Sequence, residues 1–159
     1  MNSSHGIAQP VRRHEDVRLL TGRGRFADDV NASGQAHAVF VRSPVAHGVI
    51  SRVEVEAAAT APGVAGVFTG DNLTSAGVGH IVARWPRYQS AQIQSTRPLH
   101  TPRPGLAEGK VRHVGEPVAM VIAETRAQAE DAAALIKLDI DELPAVTCLV
   151  DALASGAPI

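Results

Sequence analysis

Apolar and polar positions along this chain alternate in short bursts, and the bursts predict strands. QAHAVFVRS (35–43) and GVISRVEVE (48–56) carry β-branched residues with partial alternation. The stretch from Ser43-Pro44 to Gly48 between them has turn chemistry, so two strands joined by a turn are expected. EAAATAPG (56–63) reads as a short helix ended by Pro62 and Gly63, and VAGVFTG (64–70) as a third strand. DNLTSAG then opens one helical turn with Asp71 as its cap. VAMVIA (118–123) is apolar at consecutive positions, which suits a strand covered on both faces. Thr125, with Gln128 three residues later, forms a capping-box pattern at the head of RAQAEDAAALIK. Ala129, Ala132, Ala133 and Ile136 of that helix fall on one face, small enough for close packing on a sheet. KLDID (137–141) alternates as a last strand, Pro144 ends it, and LVDALASG (149–156) makes a final helical turn.

The pattern fails in two places. Residues 1–34 are polar and glycine-containing, with Arg12, Arg13, Arg18, Arg23 and Arg25 ahead of Asp28-Asp29, and predict an irregular N-terminal arm. Within the remaining domain, 35–159, periodicity disappears over 75–110, where Pro86, Pro98, Pro102 and Pro104 punctuate a long loop of a length that is often functional. The element order is that of an α/β or α+β domain without internal repeats.

Composition narrows the chemistry. The chain has 159 residues, 45% of them hydrophobic and 3% aromatic, so one domain with a core of Ala, Val, Leu and Ile is expected. Its 15 basic and 16 acidic residues leave no global field to draw it to nucleic acid or an anionic membrane. Cys148 is the single cysteine, which excludes an intrachain disulfide and an all-cysteine iron–sulfur cluster within the chain. MNSSHGIAQPVRRHED has no apolar signal core and no stretch nears the roughly 18 apolar residues of a membrane span, so a cytoplasmic location is expected.

Candidate sites each have a plainer structural account. TGRGRF (21–26) lacks the Gly-Lys-Ser/Thr ending and the strand-to-helix frame of a phosphate loop, and reads as a turn-forming arm. The histidines at 5, 14, 37, 47, 80, 100 and 113 lack the paired spacing that brings two ligands to one metal. Cys148, beside Val146, Leu149 and Val150, reads as a packed thiol. Arg84, Arg87, Arg97 and Arg103, with Trp85 and Tyr88, form the one local concentration of positive charge and aromatics. They suggest a solvated loop or, if a partner exists, an acidic protein face. In RHVGEPVAMVIAET, Gly115 supplies a bend and Pro117 holds Glu116 extended at a strand entry. The expectation is a rim carboxylate, solvated or paired with Arg112 or His113, with Gly115, Glu116 and Pro117 structural rather than catalytic.

Five blocks carry a family resemblance: RRHEDVRLLTGRGRFADD (12–29), FVRSPVAHGVI (40–50), PGVAGVFTGDNL (62–73), VGEPVAMVIA (114–123) and DELPAV (141–146). In this order they resemble the N-terminal α/β-hammerhead domain of molybdenum hydroxylase large subunits, the family of xanthine dehydrogenase, aldehyde oxidase and the carbon monoxide dehydrogenase type. Ile140 and Cys148 depart from the usual aromatic and acid at those places. The resemblance implies an α+β fold, with a mixed sheet packed with a few short helices. It also implies an oxidoreductase that hydroxylates aldehydes, N-heterocycles or related carbons with water-derived oxygen, using molybdopterin, iron–sulfur clusters and FAD. In that family the pterin loops and the glutamate base lie in the domains after the hammerhead. No catalytic, cofactor-binding or metal-binding residue is therefore carried onto this chain, and those groups are expected in partner chains. The expected role is a non-catalytic hammerhead subunit or split fragment docking on a separate molybdopterin-binding chain, without nucleic acid or membrane. A stand-alone module binding through the arginine-rich loop, or a truncated gene remnant, are the alternatives.

Overall fold

The computed structural model describes residues 13–81 and 103–157. The chain divides into two units, 1–35 and 36–159. In the first, the expected irregular arm holds a five-residue helix, α1 (Asp16–Leu20), followed by a 3₁₀ turn at Ala27–Asp29. Local polar bonds account for α1 where no apolar stripe announced it: the Asp16 carboxylate accepts the Arg13 amide at 3.1 Å, and Arg18 pairs with Glu15 one turn earlier.

The second unit has the expected α+β class, with its strands shared between two three-stranded sheets. The first sheet has the order β1 (His37–Arg42), β5 (Pro117–Ala123), β3 (Val64–Thr69). The second has the order β4 (Lys110–Val111), β2 (Gly48–Glu54), β6 (Lys137–Glu142). All four pairings are antiparallel. Short helices α2 (Glu56–Ala59) and α3 (Gly70–Ser75) flank β3. The longest helix among the described residues, α4 (Arg126–Ala134), lies on the first sheet.

α4 begins where its polar signal places it. The Thr125 side chain accepts the Gln128 amide at 3.3 Å while Gln128 Oε1 accepts the Thr125 amide at 3.0 Å, closing the capping box. The other cap shifts. Thr69, not Asp71, heads α3, because Thr69 is the last extended residue and Asn72 Oδ1 returns to its amide at 2.8 Å. The alanine face of α4 buries Ala129 and Ala132 completely. Ala132 packs with Ala58, Ala119, Val121 and Ile136 in one cluster. Val118, on the opposite side of β5, joins Ala107 and Val111 in a second cluster covered by Ile50, Leu138 and Ile140. Val53 packs against both clusters and ties the two sheets together. β5 is thus the central strand its continuous apolar pattern predicts, although covering of its second face lapses at Met120 and Ile122, which are only half-buried.

Of the loop expected over 75–110, residues 82–102 lie outside the described residues. Beyond it, Leu106 and Ala107 are already buried, with the Ala107 amide bonded to the Pro117 carbonyl at 2.7 Å.

Candidate functional site

Glu116 is the buried acid among the described residues of the second unit, and the backbone around it explains why. The Glu116 amide donates to the His113 carbonyl at 3.2 Å, closing a tight turn with Gly115 at φ +82, a conformation that only glycine reaches without cost. The end of β1 clamps this turn: the Ser43 amide donates to the Glu116 carbonyl at 2.9 Å, and the Gly115 amide to the Ser43 carbonyl at 2.8 Å. Ser43 is itself buried, and its Oγ bonds back to the Val45 carbonyl at 2.8 Å. Arg42 adds a bond from Nη1 to the Gly115 carbonyl at 2.9 Å.

The carboxylate therefore turns inward, contrary to the expected rim position, and is 7% exposed. Its Oε2 accepts the Arg112 amide at 2.5 Å. The expected ionic partners stand further off, with Arg112 Nη1 at 4.0 Å and His113 Nδ1 at 3.7 Å. A carboxylate used in this way satisfies a backbone donor and fastens a loop. The contacts of this carboxylate are thus those of a clasp on the turn.

Beside the clasp opens a cleft of about 690 Å³, lined by His47, Lys110, Arg112, His113, Pro144 and Thr147 among others. The His47 imidazole Nδ1–H donates to the Pro144 carbonyl at 2.9 Å, which orients the ring as a strut between the β1–β2 turn and the chain after β6. The cleft carries the basic side chains of Lys110 and Arg112.

The remaining sequence candidates are dispersed. TGRGRF follows a helix end, and Arg23 bonds to the Thr21 hydroxyl at 3.2 Å, so no strand-to-helix cradle forms there. Cys148 is exposed, contrary to the packed thiol expected, because the chain from Thr147 to Leu153 runs along the surface with Leu149 and Val150 also exposed. Arg84, Trp85, Arg87, Tyr88 and Arg97 lie outside the described residues, as do His5 and His100. Arg103 is exposed. Among the described residues no three or more His, Cys, Asp or Glu side chains gather as a metal would require. The described residues do not present a molybdenum or iron–sulfur ligand set. No helix among the described residues is long and apolar enough to cross a membrane.

One ion-pair cluster had no signal in the sequence. Glu54, at the end of β2, pairs with Lys137 across the register at 3.1 Å and with Arg52 on its own strand. The hydrogen bond from Lys137, reinforced by the Arg52 charge, holds the Glu54 carboxyl below its ordinary value against a smaller opposing effect of burial.

Comparison with known proteins agrees with this architecture. The family model of the aldehyde oxidase and xanthine dehydrogenase a/b hammerhead domain matches residues 21–144. The chain is 44% identical over 140 residues to the nicotine 6-hydroxylase large subunit of Paenarthrobacter nicotinovorans, covering 88% of this chain and 16% of that protein. It is 34% identical to the carbon monoxide dehydrogenase large chain of Hydrogenophaga pseudoflava, covering 91% of this chain and again 16% of the relative. Among solved structures, quinoline 2-oxidoreductase from Pseudomonas putida 86 superposes with a TM-score of 0.74 at 44% identity, over 92% of this chain and 18% of that one. The chain thus spans about a sixth of the length of the relatives it matches. With the matched region covering both sheets, the Glu116 turn and α4, the chain belongs to the aldehyde oxidase and xanthine dehydrogenase a/b hammerhead family.

Proposed function

We propose that this chain is the non-catalytic hammerhead part of a molybdenum hydroxylase-type oxidoreductase and that it docks on a separate molybdopterin-binding chain. Molybdopterin, iron–sulfur clusters and FAD would then belong to partner chains, and the hammerhead would complete and shape the large subunit. One observation carries the proposal: the one buried carboxylate among the described residues is bound to the Arg112 amide, inside a domain that accounts for a sixth of its relatives' length. An acid committed to holding a turn cannot also collect a substrate proton without releasing that turn.

Co-expression with a molybdopterin-binding chain from the same source tests the proposal, using size exclusion and metal analysis. The expected result is a co-eluting complex that contains molybdenum and reduces a dye with substrate, while the purified chain alone does neither. Failure to co-elute, or dye reduction by the chain alone, would overturn it.

A further inference from the structure

Among the described residues the fully covered apolar positions are alanines and valines, while the phenylalanines are displayed. The three phenylalanines, Phe26, Phe40 and Phe68, are 67%, 41% and 36% exposed. The positions covered completely are Ala58, Val111, Ala119, Val121, Ala123, Ala129 and Ala132. Two of the phenylalanines share a face. Phe40 on β1 and Phe68 on β3 are both register partners of Met120 on β5, so the three form one row across the first sheet. Because side chains alternate along a strand, this row lies opposite Ala119 and Val121, which pack in the cluster beneath α4. Gly66 leaves room for the Phe68 ring: a Cβ there would lie 3.0 Å from it. Ala38 and Ile122, paired with each other, extend the patch.

The strands that carry the row supply no acid. β1, β3 and β5 contain no Asp or Glu, and Arg42 stands with its guanidinium carbon 5.6 Å from the centre of the Phe40 ring. The unbroken apolar pattern of β5 belongs to strands buried on both faces. α4 covers one face of it, and among the described residues nothing covers Met120 and Ile122 to the same extent.

We infer that this outer face of the first sheet, with Phe40, Met120 and Phe68 at its centre, is where the molybdopterin-binding chain docks, meeting it with an apolar surface and a carboxylate opposite Arg42. The inference rests on the function proposed above. Strand spacing and length give the face an area of about 300 Å², the size of a functional patch on a monomer. A stable pairing buries about 800 Å² per partner, which two copies meeting face to face on this patch would not reach. A partner built from the remainder of the relatives' length, about five-sixths of it, has the extent to carry the contact beyond the sheet.

The test measures affinity between the full chain and the co-expressed molybdopterin-binding chain for the wild type, Ala38→Glu, the Phe40→Ser/Phe68→Ser double variant, and Ala57→Glu on exposed α2 as a control. Binding at least tenfold weaker for Ala38→Glu and the double variant, with Ala57→Glu unchanged, is expected. Ala38→Glu adds charge at an exposed position and removes no packed ring, so it reports on the face even where the double variant loses its fold. Equal binding by wild type and Ala38→Glu overturns the assignment of the face and leaves the proposed function standing. No binding by the wild type overturns both. Dimerisation of the chain alone that Ala38→Glu abolishes makes a second copy the occupant and overturns the inference.

Discussion

Glu116 Oε2 accepts the Arg112 amide at 2.5 Å, so the carboxylate that the sequence places at a strand entry is a fastener for the turn preceding it. Replacing Glu116 by Ala removes a charged acceptor and leaves the turn without its clasp. A loss of about 1–3 kcal/mol is expected, with Glu116→Gln losing less because its amide oxygen still accepts. Urea midpoints at unchanged m-value measure both.

Ala132 packs against Ala119 and Val121, and all three are fully buried. Ala132→Leu is expected to destabilise by about 1–3 kcal/mol through overpacking. The check is thermal unfolding, together with loss of the native near-ultraviolet dichroism. A neutral Leu would mean that α4 sits further from the sheet than described.

Thr125 heads α4 with a complete capping box. Thr125→Ala is expected to cost about 0.5–2 kcal/mol. Gly63→Ala should be at least as damaging, since Gly63 has φ +76 and a Cβ there would run into the Gln128 side chain of the same box. Denaturant unfolding of the two single variants and the double variant measures their coupling, and full additivity would contradict the shared contact.

Glu54 has its carboxyl held below the ordinary value of 4.5 by Lys137 first and Arg52 second. A lowered folded-state value means that the unfolded chain takes up protons first as acid is added. The pair's contribution is therefore fully present above about pH 4.5 and disappears as the pH falls through the folded value below it. Melting temperatures of wild type and Glu54→Gln should differ by a constant amount above about pH 5 and converge as the pH falls from about 4.5 through the folded value. The difference should also shrink in high salt, because the Lys137 side chain is exposed. A gap that stays constant through the acid range would remove Glu54 as the titrating group.

What the sequence determined by itself is whatever closes within a few residues or repeats with a fixed period. Thr125 and Gln128 are three positions apart, so their reciprocal hydrogen bonds were written in the residue types, and the α4 alanines declared their buried face by helical spacing. VAMVIA announced a central strand in the same way, and five ordered blocks sufficed for the hammerhead resemblance that the family match shows. The competing caps at Thr69 and Asp71 were already beyond local logic, because the choice depends on where β3 stops being extended.

Tertiary structure alone decided what depends on strand pairing. Arg42 and Gly115 are 73 positions apart, yet the antiparallel run of β1 against β5 brings Arg42 and Ser43 onto the Glu116 turn and converts an expected rim acid into a buried one. Register likewise sets Glu54 against Lys137 and lines Phe40, Met120 and Phe68 into one row. Cys148 stays exposed because the surface course of 147–153 brings no apolar layer against it, whatever its neighbours in sequence. The physical reason is common to all four: a side chain's solvent and partners are fixed by backbone brought from elsewhere in the chain, and a local pattern specifies the element but not what is laid against it.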